Sequence, residues 1–460
     1  MRKILYSLLF LLVPIAVFPA DKKAPDNDPF AALKPLYRAI EEEIQPRLRS
    51  GDYLGAVEIA REYIRKEQDA NRIAFLLDLS ASYIATLGDS ASARKSMDRA
   101  LNIYSRHRGV RAFGPQWGPV RKQVRWQAPD KILRKAAENH SVILISEAHH
   151  VPETRAFGRA VLPLLKKLGY EYFAMETLKH PVPADAVKVH MSTGPKTAAG
   201  YYFMEPQMAG LVRTALKLGF KLIAYEDEGV GNDREKEQAK NIYERLLRDK
   251  PDAKLVVWAG YGHVYKRKWE NQKMMGAWLW EMTGREPYSL YQVFDTLDPY
   301  MTGKYFYKPL VLDDPNRPRK TLVLENKKGL FPKLDELEDN DLDRDKDGNP
   351  IVDAYVVHPP FQAAPSGGLR PTWMDGKGLH KVTGEVSGEA EGRTLIQAFP
   401  AGEGTASSPA DQMVFYAPGA YELRLAKGDY LIVLRDAQGR VLAETKAGVR
   451  SHMSKNISIY

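Results

Sequence analysis

Short apolar runs punctuate the middle of the chain. "VILIS" (142–146), "YEYFAME" (170–176), "FKLIAYE" (220–226), "KLVVWAG" (254–260), "YSLYQVF" (288–294) and "DAYVVH" (353–358) are rich in Val, Ile and Tyr. Each is too short for a buried helix and reads as a strand covered on both faces. Between the earlier runs lie amphipathic segments such as "RAFGRAVLPLLKKLG" (155–169) and "EKEQAKNIYERLLRD" (235–249). This alternation predicts an α/β domain over 131–365, an open, mainly parallel sheet with helices on both faces, doubly wound. A charged, Pro-rich excursion from Asp313 to Pro350 separates the last two strands.

The flanks have other rhythms. Residues 29–110 read as helical hairpins. "SGDYLGAVEIAREYI" and "LGDSASARKSMDRAL" align at an offset of 37, with Gly51 on Gly88, Asp52 on Asp89 and Ala56 on Ala93. That period is near the roughly 34 residues of a tetratricopeptide repeat. Residues 71–104 resemble such a repeat in their small and aromatic positions. Two copies fall short of the roughly three needed for a free solenoid, so these hairpins are expected to pack on the next domain. Residues 378–460 show short alternating strands broken by Gly, Pro and Asp, which predicts a β-sandwich with an accessory role.

Length and composition bound the rest. The 460 residues are 44% hydrophobic and 27% charged, as expected of a globular chain. The formal charge is +9, but both signs are interleaved and no basic block or nucleic-acid motif occurs. "MRK" followed by "ILYSLLFLLVPIAVF" and Ala20 predicts a signal peptide at 1–20 and a periplasmic or secreted location. Phe18 is a poor residue at −3, so a retained anchor is the alternative. The chain has no cysteine, which excludes disulfides, thiolate metal sites and a cysteine nucleophile.

The ionisable residues fall where chemistry is expected. Glu147 and His150 follow the first strand, Glu176 ends the second, Glu226 ends the third and His263 follows the fourth; His358 follows the sixth. In an open α/β sheet, ligands bind beyond the carboxyl ends of the strands. A single acid there is often a helix cap and a single His a loop hydrogen bond. Four successive strands with such residues point to one crevice. Arg234, Gln238 and Asn241 share one helical face directly after the third strand, which puts Arg234 within reach of it.

"SEAHHVPETR" (146–155) resembles the Gly-Glu-x-x-His element of the erythromycin esterase, ChaN and TIKI superfamily. "FAMET", the "REKEQAKN" helix and "GYGHV" are similar to its later elements in order and spacing. The likeness covers about 131–360 and neither flank, and Ser146 replaces the usual Gly. It implies site positions for Glu147, His150, Glu176, Arg234 and His263, with Glu226 beside them. Members include metal-independent esterases, metalloprotease-like proteins and haem binders, so the likeness implies no single reaction.

The residues themselves suit hydrolysis. His150 is expected as general base, oriented by Glu147. Glu176 and Glu226 would position water or substrate, and Arg234 and His263 would meet the oxyanion. No Gly-x-Ser-x-Gly elbow occurs. The expected function is hydrolysis of an ester or amide in a small molecule or peptide. No cofactor is favoured, although the same groups could ligate zinc or manganese. The binding-protein alternative is haem, with His149, His150, His263, Tyr201 or Tyr202 as axial ligand. Three carboxylates in one crevice suit a small polar site better than a porphyrin. A repeat-based scaffold with a protein partner is the third reading. A membrane is expected as a partner only if the leader is retained. Asp343, Asp345, Asp347 and Gly348 form the front half of a calcium loop, but Ala354 stands where its bidentate Glu belongs; a solvated acidic turn is expected.

Overall fold

The computed structural model describes residues 36, 40–49, 52–107, 126–179, 202–226, 233–269, 272–293, 320–325, 345, 347, 349–362, 369–375 and 378–459 apart from 389, 391 and 406. The expected signal peptide, Tyr201, Asp343 and Gly348 lie outside the described residues. The chain has a mixed α/β fold with several helices and sheets of mixed strand order.

After short helical turns at Ile40–Ile44 and Gln45–Arg49 come three helices, α1 (Tyr53–Lys66), α2 (Ala70–Thr86) and α3 (Ser90–His107). The two aligned aspartates do the same local work. Asp52 accepts the Gly55 N–H at 2.8 Å and Asp89 accepts the Ser92 N–H at 3.0 Å, each satisfying an orphan donor of a first helical turn. The apolar faces of α1 and α2 share a cluster with Leu395 of the C-terminal region. Arg94 of α3 pairs with Glu153 at 3.0 Å, both buried. The helices are thus packed on the rest of the chain from two sides.

The large sheet is built from β1 (Trp126–Gln127), β2 (Val142–Glu147), β3 (Tyr172–Lys179), β4 (Lys221–Glu226) and β5 (Leu255–Gly260). A small hairpin, β6 (Lys268–Trp269) with β7 (Gln272–Lys273), stands apart from it. The sheet continues in β8 (Tyr288–Val293), β9 (Leu322–Glu325) and β10 (Ala354–Val357). Strand order is β1-β9-β10-β8-β2-β5-β3-β4. The six strands read from the apolar runs pair parallel throughout, and β9 and β1 add an antiparallel edge that the pattern did not show.

Alternate strand residues face opposite sides. Ile143, Ile145, Phe173, Val256 and Trp258 share one apolar cluster with α4 (Pro129–Asn139), α5 (Pro152–Lys167) and α6 (Pro206–Lys217). Val142, Leu144, Ala174, Val257 and Ala259 share the other with α7 (Arg234–Ile242) and α8 (Met275–Thr283). Helices therefore cover both faces.

This winding places the expected site residues. β2 and β5 are neighbours, paired so that Glu147 lies opposite Gly260. The chain leaves β2 into α5 on one face, whereas beyond β5 it continues to α8 on the other. The two exits diverge to opposite faces, as at the topological switch point of an open sheet.

The C-terminal region comprises β11 (His380–Ser387), β12 (Arg393–Pro400), β13 (Asp411–Tyr416), β14 (Gly419–Leu425), β15 (Gly428–Arg435), β16 (Val441–Val449), β17 (Met453–Ser454) and β18 (Ile457–Ser458). They form two four-stranded sheets, β14-β11-β17 with β18 also on β11, and β13-β12-β15-β16. Val382, Leu423, Ile396 and Ile432, drawn from both sheets, share one apolar cluster. No helix among the described residues is long and apolar enough to cross a membrane.

Candidate functional site

Two hydrogen-bonded clusters meet at the ends of β2, β3, β4 and β5. The first is centred on Glu147. Its carboxylate accepts from Arg155 Nε at 2.8 Å and Nη2 at 2.9 Å, and from Trp258 Nε1 at 2.8 Å. Its Oε1 lies 2.8 Å from Nδ1 of His149. Burial opposes ionisation, but Arg155 and His149 outweigh it and hold the Glu147 carboxyl far below the usual carboxylate range. Arg155 reaches on to Glu205 at 3.1 Å, which also caps α6 by accepting the N–H groups of Gln207 and Met208.

The pairing expected between Glu147 and His150 is replaced by one between Glu147 and His149. The reason is local: Glu147 ends β2 and His149 lies in the tight turn that follows, closed by the Val151 N–H on Ala148 O at 2.9 Å, and this turn brings the His149 ring back onto the Glu147 carboxylate. His150 is fully buried, and its Nδ1 meets the Tyr261 hydroxyl at 3.0 Å. Burial, then Arg94, pushes its pKa well below the usual imidazole value, so His150 stays neutral.

The His149 ring is held across its faces as well as at Nδ1. Tyr202 stacks on it at 4.6 Å and 17°, and Tyr261 meets it edge-on at 5.0 Å. Both tyrosines have positive φ, 60° and 40°, unusual for a residue with a Cβ. Gly260 makes room beside the ring. A Cβ there would lie 2.6 Å from His149 Cε1 and 3.2 Å from Glu176 Oε2.

The second cluster is centred on Arg234, the first residue of α7. Its Nε donates to Glu226 at 2.8 Å, and Nη2 donates to Glu226 at 2.9 Å and Glu176 at 2.7 Å. Nη1 lies 3.1 Å from His263 Nε2. Glu176 also accepts the Gly260 N–H at 2.5 Å, which ties this cluster to the first. β3 does not stop at Glu176 as the pattern implied; after a register shift Lys179 pairs opposite Glu226. Burial raises the Glu176 pKa less than His263 and Arg234 lower it, so its carboxyl stays ionised. Gln238, one turn beyond Arg234, also donates to Glu226, and Asn241 donates to Tyr225 O at 3.0 Å, so the polar stripe faces inward.

His263 has a carboxylate of its own. Glu235 lies 2.7 Å from its Nδ1 and also accepts the Met275 N–H at 2.8 Å at the start of α8. Burial lowers the His263 pKa, but Glu235 and Glu176 more than compensate and raise it.

The structure thus brings Glu176, Glu226, Arg234 and His263 into direct contact, and joins Glu147 to them through Gly260. Arg155, Glu235, Trp258 and Tyr261 were missed in the sequence. His358 bonds Gln292 at 2.8 Å and Thr321 at 3.1 Å. Asp345 accepts the N–H groups of Asp347 and Asn349 at 3.0 and 2.8 Å, a self-satisfied acidic turn. Among the described residues, no group of three or more His, Asp or Glu side chains is arranged to hold a metal ion. The carboxylate oxygens face Arg155 and Arg234 instead, which does not fit a metal centre.

No family model matches the chain, and no curated protein does. Among solved structures, the type III effector HopBA1 is similar over 52% of this chain and 97% of that one, at 12% identity and a TM-score of 0.28. A structure described as bacterial protein toxins is similar over 53% of this chain and 56% of that one, at 14% identity and a TM-score of 0.30. At such scores neither likeness carries an argument about this site.

Proposed function

We propose that the chain is a water-activating hydrolase of ester or amide bonds, of the erythromycin esterase, ChaN and TIKI kind its motifs resemble. The observation that carries this reading is the 2.8 Å contact between Glu147 and Nδ1 of His149. With Nδ1–H donating to an ionised carboxylate, the neutral ring keeps its lone pair at Nε2. A water placed there loses a proton to Nε2 as its oxygen attacks the substrate carbonyl. The imidazolium is stabilised by Glu147 and returns the proton to the leaving oxygen or nitrogen as the tetrahedral species collapses. Arg155 keeps Glu147 ionised and, with Trp258, fixes its position. It acts as orienter and counter-charge, not as acid.

Arg234 has a narrower role than oxyanion binding. An arginine has about five N–H donors, and contacts to Glu226, Glu176 and His263 engage four of them. It organises the two carboxylates. His263 is engaged at both ring nitrogens, by Glu235 at Nδ1 and Arg234 at Nε2, and completes this cluster. The tetratricopeptide-like hairpins and the β-sandwich tail are read as framework around this centre, and export rests on the leader at 1–20. No observation favours haem or a metal: His149 and His263 are held by carboxylates, and those carboxylates or their neighbours by arginines.

A panel of activated esters and amides in ¹⁸O-labelled water tests this. Turnover should place one labelled oxygen in the acid product, leave no acyl group on the protein, and fall in His149→Ala. Absence of turnover by the wild-type chain across the panel would remove the reading.

A further inference from the structure

The buried amide of Gln412 joins three parts of the chain that lie far apart in sequence. Gln412 sits on β13 and is 1% exposed. Its Nε2 donates to Thr86 O at 2.6 Å and to Met204 O at 3.0 Å, and its Oε1 accepts from Gln397 at 2.7 Å. Both amide N–H groups are thereby used. The backbone beside it is held as firmly. Arg370 Nη1 donates to Gln412 O at 2.9 Å and Gly88 O at 3.2 Å, and its Nη2 to Asp411 at 2.5 Å. Gly88, at φ 80°, could carry no side chain there, because a Cβ would lie 2.2 Å from Gln412 O.

The contact to Met204 matters because of Tyr202, two residues earlier. Tyr202 is in a left-handed conformation and stacks on His149. Its carbonyl accepts the Glu205 N–H at 2.9 Å, and Glu205 is tied to Arg155. The turn is thus pinned at one end by the Glu147 cluster and at the other by Gln412. A strained residue persists only where its surroundings over-determine it.

We propose that the C-terminal sheets are a positioning part of the site: Gln412, through Met204 O, holds the Tyr202 ring on the face of His149. The bearing of this on catalysis rests on His149 as the reactive imidazole, but the contact itself does not. Glu147 fixes the ring at Nδ1 and Tyr202 fixes its plane, and together they aim Nε2. Gln412 touches no reacting atom and is a positioning residue.

The test uses the full-length chain with isotopically labelled histidine, and His149 resonances assigned by their loss in His149→Asn. Stacking under Tyr202 displaces those resonances by ring current, and Tyr202→Leu defines the displacement. Gln412→Met conserves volume and removes both N–H bonds. It should move the His149 signals in the same direction as Tyr202→Leu. Arg213→Gln, which breaks the 2.5 Å pair from α6 to Glu403, is the control and should leave them in place. His149 signals unchanged in Gln412→Met but moved in Tyr202→Leu would overturn the proposal. If Gln412→Met does not fold, hydrogen exchange of the wild-type chain decides. The Glu205 amide should open in one step with the β13 amides as denaturant rises, and its opening alone would contradict the link. Neither readout needs turnover, so an inactive protein would sink the hydrolase reading without touching this one.

Discussion

Arg234 Nη1 lies 3.1 Å from Nε2 of His263. A guanidinium only donates, so this contact requires a lone pair on Nε2 and the proton on Nδ1, toward Glu235. Yet against burial, Glu235 and Glu176 raise the pKa of the same ring. Protonation trades one contact for another: Nε2–H then faces Glu176 Oε1 at 3.5 Å. His263 should titrate above the usual 6.5, and Glu235→Gln should lower that value. The stability linked to a raised pKa is fully present below 6.5 and is lost as pH rises through the folded value. The advantage of wild type over Glu235→Gln should therefore shrink across that window. Denaturant titrations at stepped pH check it; a margin constant with pH would contradict it.

Glu147 titrates with the opposite sign. Its pKa is held far below 4.5, so its stabilising share is present above 4.5 and lost only in stronger acid. Removing one partner of a buried ion pair costs about 3–5 kcal/mol. Glu147→Gln should lose a margin of that order at neutral pH, undiminished until the pH falls below the carboxylate range. Chemical denaturation at neutral and acid pH measures both parts.

Gly260→Ala tests the close approach of the strand end to His149. The added methyl would meet Cε1 at 2.6 Å, so the ring must move. Overpacking of this kind costs about 1–3 kcal/mol. We expect a lower melting temperature together with displaced His149 resonances. A variant with wild-type stability and an unmoved ring would show that β5 yields instead.

The six parallel strands were legible because each buried run carries its own apolar signature. Their order was not, since crossover choices, not side chains, place β2 between β5 and β8. The antiparallel edge escaped because Trp126–Gln127 is too short to show a period. Glu176, Glu226, Arg234 and His263 were readable from their places after strands. Their partners were not: nothing in the sequence sets Glu235 and Arg155 apart from the other charges of their helices, or Trp258 from the other apolar residues of its strand. What each does depends on pairings over 8 to 111 residues, such as Arg155 and Trp258 on Glu147. The Glu147–His149 pairing was not legible either, because it depends on how the turn after β2 folds back.

The most direct measurement of the central claim compares His149→Ala with His150→Ala on the best substrate of the ester panel, with folding of both verified by circular dichroism. Loss of a general base lowers the rate by about 10²–10⁴-fold. The account predicts a loss of that size in kcat for His149→Ala, and a much smaller one for His150→Ala, whose Nδ1 meets the Tyr261 hydroxyl and not Glu147. Equal losses, or the larger loss in His150→Ala, would contradict it.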